Sequence, residues 1–287
     1  MQPLTPGVVR DLLAAHGCRP SKALGQHFLA DPGIAAHIVE AVGATPADVV
    51  CEIGAGPGVL TRALAARAGH LVALEIDPTL QADLARAARH WPEAPRVEVR
   101  LADARTFPYE TLGELRPAPA GRVLVVGNLP YSVSKPILER LLTAHARLHT
   151  AVLMLQREVA DRIAASPGGR EYGALSVFWQ CWADVARILS VPAAAFRPPP
   201  AVESAVIRAT FRPASRVPLE DEAAFARLVR AAFGQRRKTL ANALRGGGLG
   251  SAQFVASALG RAAIDGGRRA ETLTLAEFAR LAAALRG

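Results

Sequence analysis

The chain has 287 residues, 51% of them hydrophobic, and a net charge of +9, so we expect one large domain, or one large and one small, with ample core material. No run of 18 apolar residues occurs, and Arg10 and Asp11 interrupt the apolar segment that a secretory signal would need, so we expect neither a membrane span nor export. Three widely spaced cysteines, Cys18, Cys51 and Cys181, argue against a disulfide framework or a zinc site and indicate the cytoplasm.

Predicted strands and helices alternate along most of the chain. A short helix at 8–17 and a basic turn at 19–25 come first, and Asp31-Pro32 is a typical start for a helix at 33–42. We then predict these elements in order: strand 49–53, helix 59–68, strand 71–76, helix 79–90, strands 97–101 and 123–126, helix 135–146 and strand 151–155. Alternation of this kind with all-apolar strands predicts a parallel sheet that helices cover on both faces, an α/β fold.

The C-terminal part changes in pattern and charge. A proline-rich loop at 191–200 and a strand at 205–211 precede a linker at 213–218. Four helices are predicted beyond it, at 220–233, 236–245, 251–259 and 274–285. We therefore expect one domain at 1–212, with an N-terminal helical extension, and a helical domain at 213–287.

The positive charge is concentrated at one end of the chain. Residues 1–211 carry a net charge of +2, whereas residues 212–287 carry 13 Lys and Arg against 6 Asp and Glu, a net charge of +7. A genome-wide bias towards Arg would explain the excess of Arg over Lys, but not this concentration. The distribution predicts a polyanionic partner for the C-terminal domain.

Residues suited to binding an adenosine follow three successive predicted strands. After the first strand, Gly54, Gly56 and Gly58 form a Gly-x-Gly-x-Gly turn. Glu75 ends the next strand and could accept hydrogen bonds from ribose hydroxyls. Asp103 follows the third strand, where it could accept a hydrogen bond from an adenine amine. A dinucleotide fingerprint would be Gly-x-Gly-x-x-Gly with its helix aimed at a pyrophosphate. The third glycine comes one residue too early for that, which favours S-adenosylmethionine over NAD.

The turn Asn128-Leu129-Pro130-Tyr131 follows an apolar strand and therefore lies at the edge of an open sheet where ligands bind. The exocyclic amine of adenine is a poor nucleophile because its lone pair is delocalised into the ring. The Asn128 side-chain oxygen and the Leu129 carbonyl could accept its two hydrogens, Pro130 stiffens the turn, and Tyr131 could stack on a base taken out of its helix. Alone, the tetrapeptide is also an ordinary turn sequence.

Five motifs occur in an order that resembles the small-subunit rRNA adenine dimethyltransferases. They are Gly25-Gln26-His27-Phe28-Leu29, Glu52-Ile53-Gly54-Ala55-Gly56-Pro57-Gly58, Asn128-Leu129-Pro130-Tyr131, Phe196-Arg197-Pro198-Pro199-Pro200 and Phe233-Gly234-Gln235-Arg236-Arg237-Lys238-Thr239-Leu240. The resemblance spans nearly the whole chain. It implies a Rossmann-like class I S-adenosylmethionine-dependent methyltransferase domain with a small all-helical C-terminal domain. It also implies the dimethylation of two adjacent adenosines in the 3′-terminal hairpin of 16S rRNA, within an immature small ribosomal subunit.

The resemblance also implies residue roles. The family's cofactor contacts fall on six residues: His27, Leu29, Gly54, Glu75, Asp103 and Asn128. The family often has Asn at position 27, and without the resemblance His27 would be an ordinary surface residue. The catalytic set is Asn128, Leu129, Pro130, Tyr131 and Phe196.

Three assignments have structural alternatives. Phe196 could form a second aromatic wall for the target base or be a core residue beside a rigid turn. Arg236, Arg237 and Lys238 could contact RNA phosphates or form the solvated face of a helix. Glu52 could contact the cofactor or make a structural hydrogen bond.

We expect a monomer that uses no metal and binds neither DNA nor membranes.

Three other functions fit parts of the pattern. One is a macrolide-resistance type of methyltransferase acting on an adenosine of 23S rRNA, which shares the catalytic domain; the motif at 233–240 favours the small-subunit group. Another is a DNA adenine methyltransferase, for which Asp-Pro-Pro-Tyr would be more typical than the turn at 128–131. The last is an assembly factor whose RNA binding matters more than its catalysis.

Overall fold

The computed structural model describes residues 25–235 and 237–286, which form two compact units. The first unit runs up to Ala160 and takes in Ala186–Phe211, and the second consists of Asp161–Val185 with the C-terminal part from Arg212 onward. The sequence placed residues 161–185 in the first domain. In the structure they pack with the C-terminal helices, because Tyr172, Val177 and Cys181 are buried among them.

The first unit is built on a mixed seven-stranded sheet. Its strands are β2 (Val49–Ile53), β3 (His70–Glu75), β4 (Val97–Leu101), β5 (Val123–Asn128), β6 (Thr150–Gln156), β7 (Ala183–Val191) and β9 (Ser204–Phe211), in the order β4-β3-β2-β5-β6-β9-β7. The strands from β4 to β6 are parallel, as the alternating pattern predicts, and β9 runs antiparallel to β6. A separate two-stranded pair joins β1 (Phe28–Leu29) to β8 (Phe196–Arg197).

The carboxyl ends of the central strands lie side by side. Ile53 of β2 pairs with Leu74 of β3 on one side and with Gly127 of β5 on the other. Every residue of β2 is buried, and all of β5 is buried except its last residue, Asn128. Apart from Glu52 in β2 and Asn128 at the end of β5, the residues of these two strands are non-polar, because both faces of the sheet are covered.

Helices connect the strands of the first unit and make up most of the second. They are α1 (Pro32–Val42), α2 (Thr61–Ala65), α3 (Pro78–Ala88), α4 (Ser134–Thr143), α5 (Arg157–Ala164), α6 (Ala174–Trp182), α7 (Glu222–Phe233), α8 (Leu240–Gly246), α9 (Ala252–Arg261) and α10 (Leu275–Ala284). Asp31 caps α1 by accepting a hydrogen bond from the Ile34 amide at 3.0 Å, and Gly43 ends this helix with a left-handed φ of 62°. The predicted helix at 8–17 lies outside the described residues.

The second unit has its own apolar core. Phe225, Leu244, Leu259 and Phe278 are buried there, one from each of the helices α7 to α10. A capping box in which Thr274 and Glu277 bond reciprocally fixes the start of α10. The boundaries of these helices agree with the predicted ones within four residues. No helix in the described part of the chain has the length and apolarity needed to cross a membrane.

Candidate functional site

A cavity of about 310 Å³ opens at the carboxyl ends of the parallel strands in the first unit. Its walls come from the segment before β1, the glycine turn after β2, the end of β3, the loop after β4 and the turn after β5. It brings together eight of the sequence-predicted site residues: His27, Gly54, Glu75, Asp103, Asn128, Leu129, Pro130 and Tyr131. Four strand ends therefore converge on one site, as expected for an open α/β sheet.

The glycine turn is held by the buried carboxylate of Glu75. Its Oε2 accepts the amide of Gly56 at 2.7 Å, and its Oε1 accepts the amides of Ile76 and Asp77, each at 2.9 Å. Burial raises the pKa of Glu75, and the three amides oppose that rise. Gly56 has a φ of 53°, and a Cβ there would come within 3.2 Å of the Phe28 ring. Only glycine therefore fits at position 56, where the backbone is left-handed and packs closely against Phe28.

Asp103 is bound by a side chain that the sequence did not single out. The guanidinium of Arg105 donates to both oxygens of Asp103: Nε lies 3.0 Å from Oδ1 and 2.9 Å from Oδ2, and Nη2 lies 2.6 Å from Oδ2. The backbone amide of Arg105 also donates to Oδ1, at 2.9 Å. The hydrogen bonds from Arg105 lower the pKa of Asp103, because they stabilise the carboxylate. The only sequence signal was a cation two residues after the acid, a spacing too common to interpret.

The amide of Asn128 is fixed in one orientation. Its Nδ2 donates to the backbone carbonyl of His27 at 2.8 Å, so the side-chain oxygen Oδ1 must point the other way. The next amide, that of Leu129, donates to the Met154 carbonyl of β6 at 3.0 Å. No donor from residues 25–235 or 237–286 reaches Oδ1. The turn therefore presents an oriented acceptor to the cavity.

The ring of Tyr131 is held at two places. Its hydroxyl lies 2.5 Å from the hydroxyl of Ser204, and its face is stacked on the His27 ring, with centroids 5.8 Å apart and planes at 27°. The Nδ1 of His27 lies 2.9 Å from the carbonyl of Pro198. Burial raises the pKa of Tyr131. The sequence pointed to Tyr131 but gave no signal for Ser204, which is 73 residues away in the chain.

Two predicted site residues do not line the cavity. Phe196 is fully buried and Leu29 is 4% exposed, and these two residues face each other in the pairing of β8 with β1. Both side chains belong to the core cluster that also contains Val126 and Val152. The short strand pair thus places the Phe196 side chain in the core cluster and outside the lining of the cavity, while its role as a second aromatic wall stays a prediction.

The basic motif of the second unit differs from its predicted form. Arg236 lies outside the described residues. Arg237 and Lys238 are exposed, but they belong to a turn, in which the Lys238 amide donates to the Gln235 carbonyl at 2.9 Å, and α8 starts only at Leu240. The prediction that a helix begins at 236 was therefore wrong. In the part of the chain that the structure describes, no group of His, Cys, Asp and Glu residues could hold a metal ion.

Glu52 lies fully buried within β2, and burial raises its pKa to about 8. Its Oε2 has no hydrogen-bond partner among the described residues, and it does not line the cavity. The geometry therefore gives no support to a cofactor contact.

We expect the free energy of unfolding of Glu52→Gln to exceed that of the wild type by an amount that grows as the pH rises from about 4.5 to 8. Over that window the folded chain keeps a proton that the unfolded chain loses, so wild-type stability falls relative to the variant as the pH rises. Urea unfolding at pH 5 and 8 should show a gain at pH 8 of at least about 1 kcal/mol. The exposed Glu40→Gln should show no such divergence. If the free energy of unfolding changed equally with pH in Glu52→Gln and in the wild type, the raised pKa of Glu52 would be contradicted.

Comparison with known proteins gives a consistent result. The model of the family described as "Ribosomal RNA adenine dimethylase" matches residues 18–286. Two relatives named "Ribosomal RNA small subunit methyltransferase A" are each 44% identical: that of Pelotomaculum thermopropionicum over 97% of this chain and 95% of its own, and that of Moorella thermoacetica over 98% of both.

Solved structures share the fold. A dimethyladenosine transferase from Plasmodium falciparum superposes with a TM-score of 0.75, covering 89% of this chain and 96% of its own at 24% identity. The 23S rRNA methyltransferase ErmE superposes with a TM-score of 0.67, covering 91% of this chain and all of its own at 26% identity. The fold is therefore a Rossmann-like class I methyltransferase fold with a helical C-terminal part.

Proposed function

Because the chain belongs to the ribosomal RNA adenine dimethylase family, we propose that it dimethylates two adjacent adenosines in the 3′-terminal hairpin of 16S rRNA, with S-adenosylmethionine as methyl donor. The observation that carries this proposal is the placement of the oriented Asn128 in the wall of the same cavity as Glu75 and Asp103. An acceptor for the target amine and acceptors for an adenosine-containing donor thus share one site.

The cavity fits the donor. Glu75 Oε2 accepts one amide and keeps a lone pair for a ribose hydroxyl, while Gly54 places backbone without a side chain in the cavity wall. Asp103 would meet the adenine amine, and Gly54 and Asn128 would flank the methionine part. When bound, S-adenosylmethionine supplies an electrophilic methyl on a positively charged sulfur.

The protein would act on the target adenine by positioning its amine. Asn128 Oδ1 and the Leu129 carbonyl would accept the two amine hydrogens, so that the nitrogen becomes pyramidal and its lone pair, no longer delocalised into the ring, points at the methyl. Tyr131 would stack on the extruded base. No strong general base is needed, because the nitrogen becomes positive on methylation and then loses its proton to water. Catalysis would come from positioning and electrostatics.

The small-subunit substrate is supported by the names of the 44% identical relatives. The likeness to the 23S rRNA methyltransferase ErmE, at 26% identity, keeps the large subunit as the alternative. A ribosomal substrate would place the enzyme in the cytoplasm. Action on an immature subunit and a monomeric state remain predictions, as does any role in assembly beyond methylation.

The test of this proposal is methyl transfer from labelled S-adenosylmethionine by the purified protein. Small subunits from a strain lacking the modification should be labelled, and mass spectrometry should place four methyls on two adjacent adenosines near the 3′ end. Large subunits, duplex DNA and mature small subunits serve as controls and should remain unlabelled. Label in 23S rRNA would replace the proposed substrate with the alternative.

Replacing Arg105 with Met should tighten binding of S-adenosylhomocysteine by roughly 2- to 5-fold. Arg105 occupies both oxygens of Asp103, so the adenine amine must compete with it. Calorimetry would give the dissociation constant. Arg89→Met makes the same charge change at the exposed residue that follows α3 and should have no effect. Weaker binding in Arg105→Met would mean that Arg105 supports the ligand instead of competing with it.

The second unit is proposed to bind rRNA. Changing Arg237 and Lys238 together to Gln should weaken binding to unmethylated small subunits. The negative slope of log affinity against log salt concentration should become shallower by roughly 1 to 2. Both side chains are exposed, in a part of the chain whose net charge is +7 over residues 212–287. Filter binding at several salt concentrations, with Arg89→Gln as control, would measure this. An unchanged slope would show that Arg237 and Lys238 do not contact the phosphates of the rRNA.

A further inference from the structure

The positive charge of the second unit comes from one stretch of the chain without acidic residues. Residues 223–264 contain seven Lys and Arg and no Asp or Glu, so this stretch accounts for the entire net charge of +7 over residues 212–287. The motif at 236–238 supplies three of these charges, and the helices carry the other four: Arg227, Arg230, Arg245 and Arg261. Charge this concentrated predicts a polyanion-binding surface that is larger than the motif.

Carboxylates neutralise most of the arginines outside this stretch. Among residues 212–287, five of the six arginines outside it form an ion pair. The pairs are Arg212 and Arg216 with Asp184, Arg268 with Glu277, Arg269 with Glu271 and Arg286 with Glu220. Within the stretch, Arg261 donates to the Ala284 carbonyl at 2.5 Å. Arg227, Arg230 and Arg245, in contrast, have no carboxylate partner in the described part of the chain, so their donors are available to a ligand.

Two of these three arginines share one face of α7. Arg227 and Arg230 are exposed and three residues apart, a spacing that puts their Cβ atoms roughly 5–6 Å apart. The guanidinium carbon of Arg230 lies 5.5 Å from the centre of the Phe178 ring, and such stacking leaves the N–H groups at its edge available. Like charges this close repel each other, so an anion that contacts both side chains would be favoured.

A corner of three glycines at 246–248 places the third arginine beside α7. A Cβ at Gly247 would lie 2.5 Å from the Cβ of Ala231, so only glycine lets the chain pass this close to the helix. Ala231 directly follows Arg230, and Gly247 comes two residues after Arg245. Arg245, which is exposed near the end of α8, therefore lies close to the last turns of α7.

The acidic residues nearest to these arginines in the sequence lie at the start of α7 and have structural roles. Asp221 caps the helix, because its Oδ1 accepts the amide of Ala224 at 2.8 Å, and Glu220 pairs with Arg286 at 3.1 Å. Negative charge at a helix N-terminus stabilises the helix itself. These carboxylates therefore border the arginine surface at one end and form no ion pair with it.

We propose that Arg227, Arg230 and Arg245 form a further RNA-binding surface of the second unit, which holds a segment of rRNA by its phosphates. The planar fork of an arginine side chain matches the geometry of a phosphate, and contacts of this kind position an RNA without reading its base sequence. The inference rests on the proposed function, because it takes rRNA as the polyanion. It extends the contact from the turn at 237–238 along α7.

The test is filter binding of the full-length protein to unmethylated small subunits at several salt concentrations. Changing Arg227, Arg230 and Arg245 together to Gln should weaken binding at least about 10-fold at physiological salt. The negative slope of log affinity against log salt concentration should become shallower by roughly 2 to 3. In methylation assays this variant should have a higher KM for the subunits and an unchanged kcat, because the three residues lie outside the cavity.

Two matched variants separate this contact from a general loss of charge and from a loss of folding. Changing the exposed Arg89, Arg147 and Arg208 of the first unit to Gln removes the same charge and should alter the slope by less than about 0.5. Replacing the three proposed contacts by Lys keeps their charge and should keep the affinity within about 5-fold of wild type. The inference is overturned if the Gln variant of these contacts has the wild-type slope, or if their Lys variant binds as weakly as their Gln variant.

A photocrosslinking side chain at Ala223, on the same face of α7 as Arg227 and Arg230, would identify the partner. It should crosslink to rRNA, and crosslinks confined to a ribosomal protein would overturn the assignment to RNA. A protein that binds small subunits through the three arginines but transfers no methyl would overturn the proposed function and leave this inference standing. An active enzyme whose Gln variant binds normally would overturn this inference alone.

Discussion

Replacing Asn128 with Ala is expected to lower kcat on unmethylated small subunits by at least about 100-fold, a typical loss when one preorganised polar group is removed from a reacting centre. The Asn128 oxygen is the acceptor that the structure orients, through the bond from Nδ2 to His27. Without it, one amine hydrogen has no acceptor and the lone pair stays in the ring. The measurement is single-turnover transfer of labelled methyl at saturating donor.

Two further variants complete this experiment. Asn128→Asp keeps an oxygen acceptor but loses the N–H that orients it, so its rate should lie between those of the wild type and Asn128→Ala. Asn242→Ala makes the same truncation at an exposed position of α8 and should leave the rate unchanged. If Asn128→Ala kept more than a tenth of the wild-type rate, Asn128 would not be the positioning acceptor.

Glu75→Gln is expected to weaken binding of S-adenosylhomocysteine by at least about 10-fold. The carboxylate accepts three backbone amides, from Gly56, Ile76 and Asp77, through two oxygens. A carboxamide has one oxygen, so its NH₂ group would face at least one amide donor, and that buried donor would lose its acceptor. The glycine turn should shift, and the ribose hydroxyls should lose their acceptor as well.

The neighbouring carboxylate provides the control for Glu75→Gln. Asp77 caps α3 by accepting the Thr79 amide at 2.9 Å and does not line the cavity. Asn caps helices as well as Asp does, so Asp77→Asn should bind the ligand normally. Calorimetry gives both dissociation constants, and circular dichroism checks that both variants fold. Equal affinity in Glu75→Gln and the wild type would rule out its role in holding the donor.

Sequence patterns predicted the central sheet well because its strands are governed by local rules. β5 is an apolar run that ends at Asn128, β2 is apolar except for Glu52, and α1 starts at a cap that can be read directly from Asp31-Pro32. The cavity residues Gly54, Glu75, Asp103 and Asn128 could be found because each ends a strand of the sheet or follows one within two residues, so topology alone brings them together.

Features that depend on distant contacts were missed. The sequence analysis did not predict α5, α6 or β7, and the burial of Tyr172 is set by helices that follow much later in the chain. The inward orientation of Phe196 depends on pairing with Leu29, which is 167 residues away. The same holds for the contacts of His27, whose partners Asn128 and Pro198 are 101 and 171 residues away. No local pattern encodes such separations.

The most direct test is a crystal structure of the protein with bound S-adenosylhomocysteine. We expect the ligand in the cavity at the ends of β2, β3 and β5, with its adenine amine at Asp103, its ribose at Glu75 and its sulfur facing the turn that begins at Asn128. Ligand density in another part of the molecule, or a sulfur turned away from Asn128, would contradict the account.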